Sequence, residues 1–191
     1  MDLDTVITEL AKDDSIENYW YYTDLKSRIL HIFGEIDSSI LETVILPLQK
    51  LSTTKEPITL KLHTSGGSVW DAAVLLDLIE KIECPLTIEV LGYALSMGVY
   101  ILMAGKNNPN VKRVAHSFSI GLIHPGSLTL DGDARKVKQI QKFNDKIENK
   151  LKNFLLQNTN MTQEEYELRE DEEYYLTAED MLKLGIVDEI I

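Results

Sequence analysis

One serine stands alone among apolar and small residues in the segment EVLGYALSMGVYILMAG, from Glu89 to Gly105. Ser96 follows a strand-like run and precedes an apolar run fit for a helix. A serine at a sharp strand-to-helix turn exposes its Oγ and leaves the next backbone N–H free to stabilise an oxyanion. The position therefore indicates a nucleophile. The Gly-x-Ser-x-Gly signature of the α/β-hydrolases is absent, and a helix N-cap is the alternative role.

A serine nucleophile needs a base, and the chain has four histidines. His31 and His63 lie in strand-like runs, where a structural role is expected, and His116 lies in a polar stretch. His124 ends the run SIGLIH, at the carboxyl end of a predicted strand. Sites in open α/β sheets form at that edge. His124 is therefore the best candidate for a general base.

A glycine pair, Gly66–Gly67, lies between a predicted strand and a predicted helix in LHTSGGSVWDAAVLLDLIE. Glycines at such a corner permit positive φ and a close approach of backbones. The start of the helix that follows offers N–H groups to an anionic oxygen. The motif is neither a Walker loop nor a dinucleotide fingerprint. Ordinary turn chemistry is the alternative.

Composition restricts the classes of function. The 191 residues are compatible with one domain, and the formal net charge of −12 argues against a nucleic-acid-binding protein and, more weakly, against membrane binding. The one cysteine, Cys84, excludes an internal disulfide and is expected to be a small packing residue. The first residues lack the features of a secretory signal, so we expect a cytoplasmic protein. We expect no metal or organic cofactor, because Cys/His ligand spacings and phosphate loops are absent from the sequence.

Strand-like runs alternate with helical patterns, which predicts an α/β fold with parallel strands. We predict strands at residues 29–33, 58–63, 86–92 and 119–124, and helices at Ser39–Leu51 and Val69–Ile82. Residues 133–157 form a predicted long amphipathic helix, packed on its own domain or against another subunit. Thr177 and Asp180 predict a capped helix that stops at Gly185, before a closing strand over residues 186–191.

Several segments in a fixed order give the chain a family resemblance. They are RILHIFGEID, TSGGSVWDA, GYALSMGVYILMAG, SIGLIHPG and YYLTAEDMLKLGIVDEII. From Arg28 to Ile191 the sequence resembles the Clp protease proteolytic subunit (ClpP) family. The resemblance implies the α/β ClpP/crotonase-like fold, with twisted parallel sheets, flanking helices and a long projecting helix. It implies a serine peptidase domain over 28–191 and leaves 1–27 as an unmatched N-terminal segment, with an axial position in an assembly as one option.

Carried onto the matching positions, the resemblance implies roles for four residues. Ser96 would be the nucleophile and His124 the general base. The backbone N–H groups of Gly67 and Met97 would form the oxyanion hole. The chain order of serine, histidine and acid is itself a marker of the family, because convergent triads share geometry and not order.

The third triad member is where the sequence departs from the family. The family has an aspartate three residues before the hydrophobic residue of its hydrophobic-Ser/Thr-Ala segment, and here Glu173 takes that place before Leu176. The extra methylene of glutamate moves the carboxylate by more than about an ångström unless the backbone compensates, and small misplacements are costly in this chemistry. We prefer Glu173, with Asp171 as the competing acid. A solvated acidic turn in which neither reaches His124 is the third interpretation.

The resemblance also implies partners. It implies a homo-oligomer of heptameric rings stacked as a tetradecamer, with 133–157 as the oligomerisation helix. The family docks an ATP-driven unfoldase in apical pockets lined by aromatic residues, where this chain has Thr59, Lys61 and Lys81. Burying an unpaired ammonium is expensive. We therefore expect that the usual unfoldase is not its partner and that the chain is a divergent member of the family.

The sequence therefore predicts a ClpP-type serine endopeptidase that cleaves unfolded or short polypeptides inside a ring. Two alternatives stay open. One is a crotonase-type acyl-CoA enzyme, which also uses two backbone N–H groups as an oxyanion hole. The other is a ring subunit whose triad has weakened, and Glu173 is the feature that favours it.

Overall fold

The structure, a computed structural model, describes residues 23–24, 26–126, 132–169 and 171–191. Eight strands in these ranges form one sheet with the path β1-β2-β3-β4-β5-β8, while β6 pairs with β4 and β7 pairs with β6. The strands are β1 (Thr23–Asp24), β2 (Ile29–Ile36), β3 (Ile58–Gly67), β4 (Leu86–Leu95), β5 (Val111–Ala115), β6 (Ile120–Ile123), β7 (Tyr174–Leu176) and β8 (Glu189–Ile190). The N-terminal segment expected at 1–27 lies almost wholly outside the described residues.

Helices follow most of the strands. They are α1 (Leu46–Leu51), which continues a π-helical turn (Leu41–Ile45), α2 (Val69–Lys81), α3 (Met97–Met103), α4 (Ala134–Gln157), α5 (Gln163–Glu167) and α6 (Ala178–Lys183). Strands β2 to β5 run parallel, as do β4 with β6 and β5 with β8. The predicted α/β class with parallel strands and flanking helices is confirmed.

The core lies between the central strands and helices α2 and α3. Along β3 and β4, buried residues alternate with partly exposed ones, because successive side chains point to opposite faces of a sheet. Helix α3 is buried along its whole length, which explains why its sequence is apolar on every side. Cys84 is fully buried and free, as expected.

Helix α4 matches the predicted long helix, with Asp133 as its N-cap. Its last turns pack on the core, where Leu155 is fully buried. Earlier along the helix, Val137, Ile140 and Ile147 are only half-buried and Phe143 is exposed. The first half of the helix therefore keeps an apolar stripe that this chain covers only in part.

An ion pair anchors the C-terminal segment to β5. Asp188 accepts hydrogen bonds from the backbone N–H of Arg113 at 2.8 Å and from its Nε at 3.0 Å. Burial raises the pKa of Asp188, but these hydrogen bonds and the cationic charge outweigh burial and leave the pKa below its ordinary value. Arg113 is only 3% exposed, so its charge depends on this partner.

Several short elements were not predicted from the sequence, and the predicted closing strand is longer than the observed one. Strand β5, strand β7 and helix α5 were not predicted, and the predicted closing strand over 186–191 is reduced to Glu189–Ile190. No helix in the described ranges has the length and apolar character needed to cross a membrane.

Candidate active site

Ser96 lies at a strained corner between β4 and α3. Its φ of 52° and ψ of −124° fall in a region that favours glycine. Such a conformation costs on the order of 1–3 kcal/mol and persists only where the surroundings enforce it. Here the backbone N–H of Ser96 donates to the Leu122 carbonyl of β6 at 2.9 Å. Ser96 occupies the N-cap position of α3, yet its side chain caps no helical N–H, which leaves the capping role unfilled.

The glycine pair packs directly against this corner. Gly66 has φ of +87°, and a Cβ built on it would lie 2.7 Å from Ser96 Cβ and 3.0 Å from the Met97 nitrogen. Gly67 has φ of +147°, and its Cβ would meet the Ile36 carbonyl oxygen of β2 at 2.2 Å. Glycine is therefore required at both positions by conformation and by space.

The Met97 N–H is the first of helix α3, and the first N–H groups of a helix have no intrahelical acceptor. It lies beside the Gly66 backbone, as the preceding contacts show. The structure thus brings together the serine, the glycine pair and Met97, which come from two neighbouring strand ends.

His124 follows β6 by one residue, next to the serine corner. The parallel pairing of β4 and β6 sets Leu95 opposite Leu122, so Ser96 and His124 leave the same edge of the sheet from adjacent strands. The imidazole is half-buried and lines a small cleft with Tyr100, Met161, Tyr166, Arg169 and Tyr174. Within the described part of the chain, the His124 ring forms no hydrogen bond.

Of the two candidate acids, Glu173 lies closer to the histidine in the sheet register. Antiparallel pairing of β6 and β7 sets Ile123 opposite Tyr174 as the last pair, so His124 directly follows β6 and Glu173 directly precedes β7 at the same end of the two strands. Both Glu173 and Asp171 are exposed. Among described residues, neither carboxylate hydrogen-bonds His124; Glu173 instead accepts the phenol of Tyr175.

A large apolar cleft opens beside the serine corner. Its volume is about 590 Å³, and it lies between helices α2 and α4 with Met97 in its wall. Trp70 of α2 stacks on Phe143 of α4 at 5.9 Å between ring centroids, next to this cleft. The apolar walls are provided chiefly by Val69, Trp70, Leu76, Met97, Leu151 and Phe154. The cleft has the size and character of a site for an extended apolar group.

Comparison with known proteins places this arrangement in a family. A family model described as Clp protease matches residues 13–191. The chain belongs to the Clp protease family. A curated relative, the ATP-dependent Clp protease proteolytic subunit of Deinococcus radiodurans, is 27% identical over 169 residues, which cover 87% of this chain and 81% of that protein. The recognition of a divergent ClpP-type protease subunit is confirmed.

In this Clp protease family member, the surface that the resemblance assigned to unfoldase docking carries paired charges. Lys61 lies 3.7 Å from Glu89, and His116 Nε2 lies 2.6 Å from the same carboxylate. Thr59 is partly exposed and Lys81 is exposed. The ammonium of Lys61 is therefore not unpaired, which corrects the reason given from the sequence: the surface is polar because Glu89 interacts there with both Lys61 and His116.

Sequence reasoning missed two residues at the site of this Clp protease family member, Tyr175 and Trp70. Tyr175 lies in β7, a strand that was not predicted from the sequence. The alternation of Glu173, Tyr174 and Tyr175 before a buried Leu176 was the available signal for a strand. His63 is structural, as predicted, with Nδ1 2.7 Å from the Leu91 carbonyl. The described residues contain no cluster of metal-ligating side chains.

Proposed function

We propose that this chain is a serine endopeptidase and the subunit of a self-compartmentalised ring protease that cleaves unfolded or short polypeptides. The observation that carries the proposal is Ser96, held at positive φ with its side chain free of capping, against a glycine pair and beside the strand that ends at His124. Strained serines at strand-to-helix corners are typical of nucleophiles.

In the proposed reaction, Ser96 Oγ attacks the peptide carbonyl carbon while His124 takes the hydroxyl proton. The C–N bond then breaks, and His124 passes the proton to the leaving amine. Water repeats the sequence on the acyl-enzyme and releases the second product. Glu173 is the acid that fixes the imidazole tautomer, and Asp171 is the alternative.

The backbone N–H groups of Gly67 and Met97 are the proposed oxyanion hole. Support comes from the Met97 nitrogen, which lies beside the Gly66 backbone at the first turn of α3. A preorganised donor of this kind typically contributes about 2.7–4 kcal/mol to transition-state stabilisation. The apolar cleft behind Met97 supports a preference for an apolar side chain on the residue that precedes the cleaved bond.

Assembly into rings is part of the proposal. The apolar stripe on the first half of α4, including exposed Phe143, gives the helix a surface for a second copy, as expected for an oligomerisation helix over 133–157. We propose heptameric rings, stacked as a tetradecamer, built from a peptidase domain over 28–191. The relative in Deinococcus radiodurans is named as ATP-dependent. We propose that an unfoldase with an apolar docking loop does not fit the Lys61–Glu89–His116 cluster.

A weakened ring subunit is the second candidate, and one observation favours it. Neither Glu173 nor Asp171 hydrogen-bonds His124 within the described residues, so neither carboxylate orients the imidazole in this conformation. A subunit of this kind would assemble and hydrolyse peptides slowly or not at all.

The test is hydrolysis of a short fluorogenic peptide with an apolar residue before the fluorophore. We expect turnover by the native chain and a loss of about a thousandfold or more in Ser96→Ala. Ser117→Ala is the matched control, because Ser117 is exposed and lies outside the proposed site. Equal rates for the native chain and Ser96→Ala would contradict the proposal. Native mass spectrometry on the same samples should give seven or fourteen copies of the 21.7 kDa chain.

A further inference from the structure

One hydrogen bond of Glu173, the proposed triad acid, has no role in the proposed reaction. Tyr175 Oη lies 3.0 Å from Glu173 Oε2 and donates a hydrogen bond to it. This hydrogen bond, and after it the negative charge of the carboxylate, raises the pKa of the phenol above its ordinary value. Within the described chain, the phenol is the only hydrogen-bond partner that Glu173 has.

His124 and Glu173 lie at the same end of the β6–β7 pair. Ile123 opposite Tyr174 is the last paired position, so His124 directly follows β6 and Glu173 directly precedes β7. The proposed base and the proposed acid are therefore neighbours at one end of two paired strands. The carboxylate of that acid is bound to the phenol of Tyr175.

We propose that Tyr175 is a positioning residue: in the resting protein its phenol holds the Glu173 carboxylate off His124, and catalysis requires the carboxylate to exchange phenol for imidazole. The inference rests on the proposed peptidase function. No covalent step is involved in the exchange, and the phenol keeps its proton. The exchange becomes favourable when His124 takes the Ser96 proton, because a cationic donor binds a carboxylate about twice as strongly as a neutral one.

Exposure makes the exchange easy. Tyr175 is 58% exposed, and Glu173 is also exposed. A hydrogen bond between exposed groups competes with water on both sides and is weak. Strand β7 pairs only with β6 among described strands, so the pair lies on an edge where side chains can change partners without disturbing the core.

The first test is spectroscopic and does not depend on peptidase activity. An imidazole Nδ1–H that donates to a carboxylate gives a strongly low-field proton resonance. We expect this His124 resonance to be absent from the native chain, present in Tyr175→Phe and absent again in Tyr175→Phe/Glu173→Gln. Tyr93→Phe, which removes a hydroxyl from a ring packed on His63, should match the native chain. Native and Tyr175→Phe spectra that agree, or a resonance that Tyr175→Phe removes, would overturn the proposal.

The second test is kinetic. Tyr175→Phe should raise kcat/KM for the fluorogenic peptide by about two- to tenfold, the range expected for loss of one competing hydrogen bond. The gain should vanish in a Glu173→Gln background, because the two side chains act through one contact. A rate that is unchanged or lowered in Tyr175→Phe would contradict the proposal. If Ser96→Ala hydrolyses as fast as the native chain, the peptidase function fails, while the His124 resonance still decides what Tyr175 does.

Discussion

The two sides of the candidate site differ in how firmly the fold holds them. The serine side is built from β3, β4 and α3, with Ser96 forced to positive φ and Gly66 packed so closely on it that an added Cβ would lie 2.7 Å from the Ser96 Cβ. The acid side lies on the three-residue strand β7, where Glu173 is exposed and bonded to Tyr175. The proposed nucleophile and oxyanion donors are therefore preorganised by packing, whereas the proposed acid is placed by one exposed hydrogen bond.

The largest effect should come from a substitution that disturbs the packing of the serine side. Gly67→Ala adds a Cβ at φ of +147° that collides with the Ile36 backbone. We expect loss of measurable peptidase activity and a fall in the free energy of unfolding of about 3 kcal/mol or more. Urea unfolding and peptide hydrolysis measure the two effects. Gly126→Ala is the control, because no atom of the residues that the structure describes lies within 4 Å of its added Cβ. Equal losses of activity and stability in Gly67→Ala and Gly126→Ala would show that close packing at Gly67 is not the cause.

A smaller effect on catalysis is expected from a substitution on the acid side. Glu173→Gln should lower kcat by about 10- to 100-fold, with little change in KM. Replacing the acid of a fully formed triad costs about 10⁴, and an exposed acid that spends time on Tyr175 contributes less. Asp171→Asn is the matched control and should stay within about twofold of the native rate. Steady-state kinetics with the fluorogenic peptide measures both variants. If Asp171 is the acid, Asp171→Asn will lower kcat more than Glu173→Gln does.

The smallest effect concerns the far end of the segment that carries Glu173, where Asp188 binds buried Arg113. Asp188→Asn leaves that guanidinium without its charged partner, but the Asp188 side chain is 40% exposed and solvent screens the pair, so the free energy of unfolding at pH 7 should fall by roughly 1 kcal/mol. The exposed pair Lys112–Glu189 supplies the control, since Glu189→Gln should change stability by about 0.5 kcal/mol or less.

The pH dependence of this loss has a defined sign. The pKa of Asp188 is lowered in the folded chain, so its contribution is present above the unfolded value of about 3.9 and is lost as pH falls toward the folded value. The stability difference between the native chain and Asp188→Asn should therefore shrink below about pH 4. A difference that persists unchanged into that range would mean that shape, and not charge, anchors the segment.

The parts of the site that could be predicted from sequence are those with local signals. The glycine pair, the lone serine in an apolar run and the capping box of Thr177 and Asp180 each carry a conformational requirement in a few residues, and the structure has each of these local features. The helix over residues 134–157 could also be predicted, because its apolar residues recur along one stripe.

Short edge strands gave no comparable signal. Strand β7 has three residues and depends on its pairing with β6, which is more than fifty residues away in the chain and cannot be read from local pattern. Helix α5 is different, because its capping box of Thr162 and Glu165 was present in the sequence and was overlooked. The contact between Glu173 and Tyr175 follows only once β7 is known to be a strand.

Labelling with a fluorophosphonate is the decisive test of Ser96 as a nucleophile, because the reagent reacts with a serine whose hydroxyl is activated by a base beside an oxyanion hole. We expect one adduct per chain, mapped by mass spectrometry to Ser96, absent from Ser96→Ala and formed at least about a hundredfold more slowly in His124→Ala. An acyl-CoA enzyme of the crotonase type would not react at this residue. An adduct on another residue, or none on Ser96 under conditions that label a known serine protease, would mean that Ser96 is not an activated nucleophile.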